Sequence, residues 1–127
     1  MKICFIEDSP EILNRLRAVA AEIDGIHVVA EANTQEGALH AIHNAQPDVV
    51  ILDLHLASGS GMEVLRQARP ARGKAQFIVL TNHGFPQYRD KCFSLGADHF
   101  LDKSRDFGKL SGLLSDLAGS AKPDSHG

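Results

Sequence analysis

The chain has too little positive charge, too few cysteines and no apolar run long enough for several common functions. Thirteen lysines and arginines against sixteen aspartates and glutamates leave a formal net charge of -3, with a pI of about 6.1. That is no electrostatic footprint for nucleic acid, which usually needs a basic domain. No stretch approaches the ~20 apolar residues of a membrane span. The N-terminus turns acidic at Glu7-Asp8, too early for a secretory signal. The expectation is a cytoplasmic protein with neither a membrane nor a direct nucleic-acid partner. Two cysteines, Cys4 and Cys92, lie among apolar neighbours and read as small buried hydrophobes in a reducing compartment, not as a disulfide. No histidine stands at ligand spacing from either, so they build no zinc site. A nucleotide-loop fingerprint is also missing: Gly59-Ser60-Gly61 is a lone G-x-G and reads as a turn and a helix start. His40 and His43, three apart on a helix, read as an exposed polar face.

What is present fits one domain. The 127 residues are 43% hydrophobic, enough for a core without disulfides or a structural metal. Strands are expected at 2–6, 26–31, 48–52, 76–80 and 98–101. A first helix starts at Asp8-Ser9-Pro10-Glu11, carries Ile12, Leu16, Val19, Ala20 and Ile23 at helical spacing, and ends at Asp24-Gly25. A second runs from Asn33-Thr34 to Gln46-Pro47. A third covers 61–68, closed by Pro70 and Gly73, and a fourth covers 86–95, ended by Gly96. Phe107, Leu110, Leu114 and Leu117 line the last. A folded body over 1–119 is then followed by a polar, disordered tail over 120–127.

Strict alternation of strands and helices with short connections implies an α/β fold, a doubly wound five-stranded parallel sheet. The runs at 3–6, 49–52 and 77–80 are apolar throughout and belong in the middle; the weaker strands suit the edges. An order of 2-1-3-4-5 satisfies both. In such a sheet the carboxyl ends of strands one and three meet at the switch point. Glu7 and Asp8 follow one and Asp53 follows the other, so three carboxylates are expected within a few ångströms. They repel, and each would resist ionisation unless a hard dication such as Mg²⁺ relieves them. Lys103 and Thr81, at the ends of strands five and four, add an ammonium and a hydroxyl. The set matches the needs of phosphoryl transfer, with a carboxylate as nucleophile.

Five pieces in this order carry a resemblance: Ile6-Glu7-Asp8, Pro47 through Leu54, Ser60-Gly61, Leu80-Thr81 and Gly96 through Lys103. Over roughly residues 2–118 the chain resembles the receiver domains of two-component response regulators, whose fold is flavodoxin-like. The resemblance implies that Asp53 accepts a phosphoryl group from a histidine kinase or phosphotransfer protein. It implies Mg²⁺ held by Glu7, Asp8, Asp53 and the backbone carbonyl of His55. It gives Lys103 the phosphoryl oxygens, makes Thr81 and Phe100 the switch pair, and makes the helix 4–strand 5–helix 5 surface the responding face. A homodimer, if one forms, would use the helix-four side near Tyr88.

Some positions depart from the family pattern. Ser104 follows Lys103 where a proline in a cis bond is usual, and a non-proline cis bond costs ~2.5–4 kcal/mol. Asn82 replaces a small residue, and Leu56-Ala57-Ser58 stands where Leu-Pro is common. His55 and His83, each two residues past a site residue, are expected to tune the phosphoryl lifetime. Two other functions on the same sheet fit the residues less well. An FMN carrier on the same sheet needs a hydroxyl- and glycine-rich loop after strand one, where this chain is acidic. A phosphatase with an aspartyl-phosphate intermediate needs an acid two residues after Asp53, where His55 stands. The expectation is a stand-alone signalling switch without an output module, not an enzyme.

Overall fold

A computed structural model describes residues 1–68, 75–82 and 85–121. Five parallel strands, β1 (Lys2–Ile6), β2 (His27–Ala32), β3 (Val49–Leu52), β4 (Gln76–Thr81) and β5 (His99–Asp102), form one sheet in the order β2-β1-β3-β4-β5. The helices are α1 (Pro10–Ala21), α2 (Gln35–Ala45), α3 (Gly61–Ala68), α4 (Pro86–Ser94) and α5 (Leu110–Ala121), the last preceded by a 3-10 turn at Phe107–Lys109. Pro70, Gly73, His83 and residues 122–127 lie outside the described residues. The α5 helix runs through Ala121, two residues into the segment expected to be tail.

The pleat divides the core between the two faces of the sheet. Ile3 and Phe5 of β1 pack with Ile51, Ile78 and Leu80 against Leu16 and Ala20 of α1 and Leu110 and Leu114 of α5. Cys4 and Ile6 point the other way, with Val50, Leu52, Phe77 and Val79, against α2, α3 and Cys92 of α4. Residues buried on both faces explain why β1, β3 and β4 are apolar without alternation. The edge strands β2 and β5 are exposed or half-exposed along their whole length, whereas in the central strands only the first residues of β1 and β4, Lys2 and Gln76, are. Both cysteines are free and buried, and burial pushes the Cys4 thiol up to about 12 and the Cys92 thiol to about 11. Among the described residues no helix is long and apolar enough to cross a membrane.

Local signals set the helix limits. The Ser9 hydroxyl accepts the Ile12 N–H and Pro10 opens α1. The Thr34 hydroxyl accepts the Gly37 N–H, and Gln46 ends α2 in the left-handed region at φ 49°. Here α1 stops at Ala21, before the expected Asp24-Gly25: Ile23 keeps the apolar rhythm but packs on the core from the turn beyond the helix. The edge strands each sit one residue later than expected. Asp98, expected in the strand, instead precedes it, accepts the Phe77 N–H on its carboxylate at 2.8 Å and holds the start of β4.

Candidate functional site

The strand exits stay in the hydrogen-bond ladder for one residue more. The Glu7 N–H donates to the Ala32 carbonyl at 2.9 Å, that of Asp53 to Ile6 at 2.9 Å, and that of Lys103 to Thr81 at 2.8 Å. Each exit residue is therefore held by its neighbouring strand, and the carboxyl ends of β1 and β3, paired through Ile6 and Leu52, stand side by side. Carboxylate oxygens of Glu7, Asp8 and Asp53 all lie within 4.8 Å of one another. Glu7 and Asp53 are buried, and Asp8 is exposed at the mouth. Three hard oxygen donors with one open side suit an octahedral, partly hydrated Mg²⁺.

Lys103 enters from β5 with a side chain only 5% exposed. Its Nζ donates to Asp53 Oδ2 at 3.0 Å and lies 2.9 Å from Glu7 Oε1. A dication is thus not the sole relief for the repulsion among the acids: the ammonium stands between two of them. Burial raises the Glu7 pKa most; the bonds from Lys103 and the Ser9 N–H pull it down, and the Asp53 charge pushes it up again, leaving it above the ordinary carboxylate range. Burial works against the Lys103 ammonium, yet its bonds to Glu7 and Asp53 together outweigh that and hold its pKa above the usual value.

Asp53 Oδ1 also accepts the His55 N–H at 3.3 Å, which draws the start of the β3–α3 loop over the carboxylate. Thr81 is fully buried at the end of β4. Phe100, half-buried on β5, packs against the core face that holds α2, α3 and α4. The structure thus brings Glu7, Asp8, Asp53 and Lys103 together, with Thr81 on the adjoining strand and Phe100 facing the α4 side. A cleft of about 370 Å³ opens beside the acids, lined by Asp8, Pro10, Asn14 and Arg17 among others, with Arg17 hydrogen-bonded to Glu31 across it.

Two supports rest on contacts that the sequence does not show. The α3 helix begins at Gly61, whose N–H donates to Leu54 O at 3.0 Å. A Cβ at Gly61 would overlap the Asp53 carbonyl oxygen and press on Leu54 Cα, so only glycine lets the helix start this close to the loop. After Lys103, the described residues contain no cis peptide bond. The Asp102 carboxylate instead accepts the N–H groups of Ser104 and Arg105 at 2.9 and 3.1 Å, and the buried Asp106 accepts the Asp102 N–H at 3.0 Å. Those bonds form the turn where the family pattern has proline.

A family model described as the response regulator receiver domain matches residues 3–115. The transcriptional regulatory protein BtsR of Escherichia coli (strain K12) is 28% identical over 117 residues, which cover 92% of this chain and 48% of that protein. A LuxR-family two-component response regulator from Aurantimonas sp. SI85-9A1 superposes with a TM-score of 0.84 at 28% identity, over 94% of this chain and 85% of that one. The CheX-CheY-BeF3-Mg+2 complex from Borrelia burgdorferi shares the fold, with a TM-score of 0.82 at 22% identity over 96% and 90% of the two chains. The chain spans about half the length of the curated relatives it matches. Those relatives are named as transcriptional regulators, so the expectation of no nucleic-acid partner draws no support from them.

Proposed function

The chain belongs to the response regulator receiver domain family, and on that premise we propose that Asp53 is its phosphoryl acceptor. The observation that carries the reading is the buried Asp53 carboxylate, with two further acids within 4.8 Å and the Lys103 ammonium at 3.0 Å. Receiver domains are signalling modules rather than classical enzymes. The donor is a histidine kinase or a phosphotransfer protein. An Asp53 oxygen attacks phosphorus, the P–N bond to the donor imidazole breaks, and the imidazole leaves with its electron pair and takes a proton from water. Glu7, Asp8, Asp53 and the His55 carbonyl are the residues to hold Mg²⁺, which when bound neutralises charge on the phosphoryl oxygens. Lys103 pairs with one of those oxygens and the Thr81 hydroxyl donates to another.

The response is a population shift. Movement of Thr81 toward the phosphoryl group vacates space for Phe100, which turns inward and alters the face made by α4, β5 and α5. A complete shift from 1:99 to 99:1 needs ~5.5 kcal/mol of differential stabilisation. Phe85 at 55% and Phe93 at 40% exposure give the α4 side an apolar surface suited to a protein partner or a second copy. The folded body, which ends with α5 at Ala121, acts as the receiver unit in the cytoplasm, and slow hydrolysis of the aspartyl phosphate returns it to rest. His55, exposed beside the acceptor, sets that lifetime, and an unchanged dephosphorylation rate in His55→Ala would count against this role.

Beryllium fluoride, a phosphoryl mimic, tests the reading. Added with Mg²⁺ to ¹⁵N-labelled protein, it is expected to shift the amides of Asp53, Thr81 and Phe100, and to shift none of them in Asp53→Asn. A parent spectrum that does not change contradicts the reading.

A further inference from the structure

The segment Asn33-Thr34-Gln35, where β2 gives way to α2, holds none of the acids and no switch residue. It lies alongside the loop that leaves Asp53. The Ala57 N–H donates to Asn33 O at 2.9 Å, and the Gln35 N–H donates to Ser58 O at 2.8 Å. Thr34 and Ser58 form a short parallel bridge. The Gln35 side chain adds a contact of its own: its Oε1 accepts the Ser60 N–H at 3.0 Å. It also occupies the space over Gly59, where a Cβ would collide with Gln35, and Gly59 takes a φ of +81° beneath it.

Ser60 is the keystone of the loop. It bridges back to His55 in antiparallel fashion, and it directly precedes Gly61, which rests on the Asp53 carbonyl. Holding the Ser60 N–H therefore fixes the place where the His55 strand segment and the start of α3 close over Asp53. The substitution of Ala57 for the usual proline fits this design. A proline would stiffen the loop from within by fixing its own φ, but it has no N–H. Ala57 spends its N–H on Asn33, and the loop is held from outside.

We infer that Gln35 is a positioning residue for the acceptor loop: its Oε1 holds the Ser60 N–H and so orients the His55 carbonyl and the Asp53 carboxylate for a divalent cation. The inference rests on the proposed Mg²⁺ site. Partners hydrogen-bonded directly to metal ligands typically contribute 10- to 100-fold in metal affinity, and Gln35, which acts one residue further out through Ser60, belongs at the low end of that range. By reciprocity, a clamp that tightens the cation site must itself be tightened by the cation.

The test is titration of the full chain with Mg²⁺, comparing the parent with Gln35→Met and Gln35→Glu. Methionine keeps the size and loses the acceptor; glutamate keeps the acceptor. The expected result is roughly tenfold weaker Mg²⁺ binding in Gln35→Met and parent-like or tighter binding in Gln35→Glu. Thermal unfolding without Mg²⁺ should differ little among the three. Hydrogen exchange at the Ser60 and Ala57 amides of the parent should slow when Mg²⁺ is added. Equal Mg²⁺ affinity in the parent and Gln35→Met overturns the inference, as does equal weakening in both variants or exchange that ignores Mg²⁺. A parent that binds no Mg²⁺ overturns the functional reading and this inference together, so the two failures are distinguishable.

Discussion

The Lys103 ammonium and the Asp53 carboxylate form a buried pair, 3.0 Å apart with side chains 5% and 4% exposed. A pair so placed contributes little net stability by itself, because desolvation offsets the attraction, but removing one partner strands the other. Here Glu7 is stranded too, since it shares the same ammonium. Lys103→Met is expected to lose up to about 3–5 kcal/mol of stability in metal-free buffer. Mg²⁺ should restore part of that loss by replacing the missing charge. Denaturant unfolding with and without Mg²⁺ checks both effects; stability equal to the parent in metal-free buffer would refute the shared pair.

The pH dependence follows from Glu7. Its folded pKa is raised above the ordinary 4.5, first by burial. The folded state therefore holds this proton more tightly than the unfolded chain does. That contribution to stability is fully present below pH 4.5 and is lost as pH rises through the folded pKa. Mg²⁺ binding needs the carboxylate, so its affinity should climb over the same interval with release of a proton. Calorimetry in buffers of different ionisation enthalpy measures that release, and Glu7→Gln should abolish it.

Gly61 offers a steric test. In Gly61→Ala the new methyl has to displace the Asp53 carbonyl or the start of α3. Overpacking of this kind costs about 1–3 kcal/mol, and the acceptor loop should lose Mg²⁺ affinity with it. Gly112→Ala, where the added Cβ meets nothing within 4 Å, is the control and should leave both properties near the parent's.

Restoring the family's proline should harm this chain. Ser104→Pro deletes the N–H that Asp102 accepts at 2.9 Å. The expected outcome is a lower midpoint of thermal unfolding; a higher one would show that the carboxylate-built turn is only a makeshift. Asp106 anchors the same turn. The Asp102 N–H first, then Arg105, hold its carboxyl down to about 2, against an ordinary 3.8. Its contribution is thus present above pH 3.8 and lost as pH falls toward about 2.

Much of the site was legible because it depends on residue type at strand ends. Continuous apolar runs ending in Glu7-Asp8, Asp53 and Thr81 located the sheet, its central strands and the meeting point of the acids. What sequence could not show was how the backbone groups are shared out between distant segments. Gln35, Asp98 and Asp106 matter because each accepts an N–H in the turns and strand ends around the sheet, and nothing in their local sequence marks that. The place of Lys103 at a strand end is legible; its hold on Glu7 depends on a burial that a single strand pattern does not reveal. The early end of α1 escaped for a related reason: periodicity reports which face is apolar, and Ile23 stays on that face after the helix has stopped.

The most direct measurement is the intact mass of the protein after incubation with Mg²⁺ and a small-molecule phosphodonor, for the parent and for Asp53→Asn. A labile gain of one phosphoryl group in the parent, absent from the variant and abolished by chelating the Mg²⁺, is the expected result. An equal gain in Asp53→Asn, or none in the parent while a known receiver domain reacts under the same conditions, would contradict the assignment of Asp53 as the acceptor.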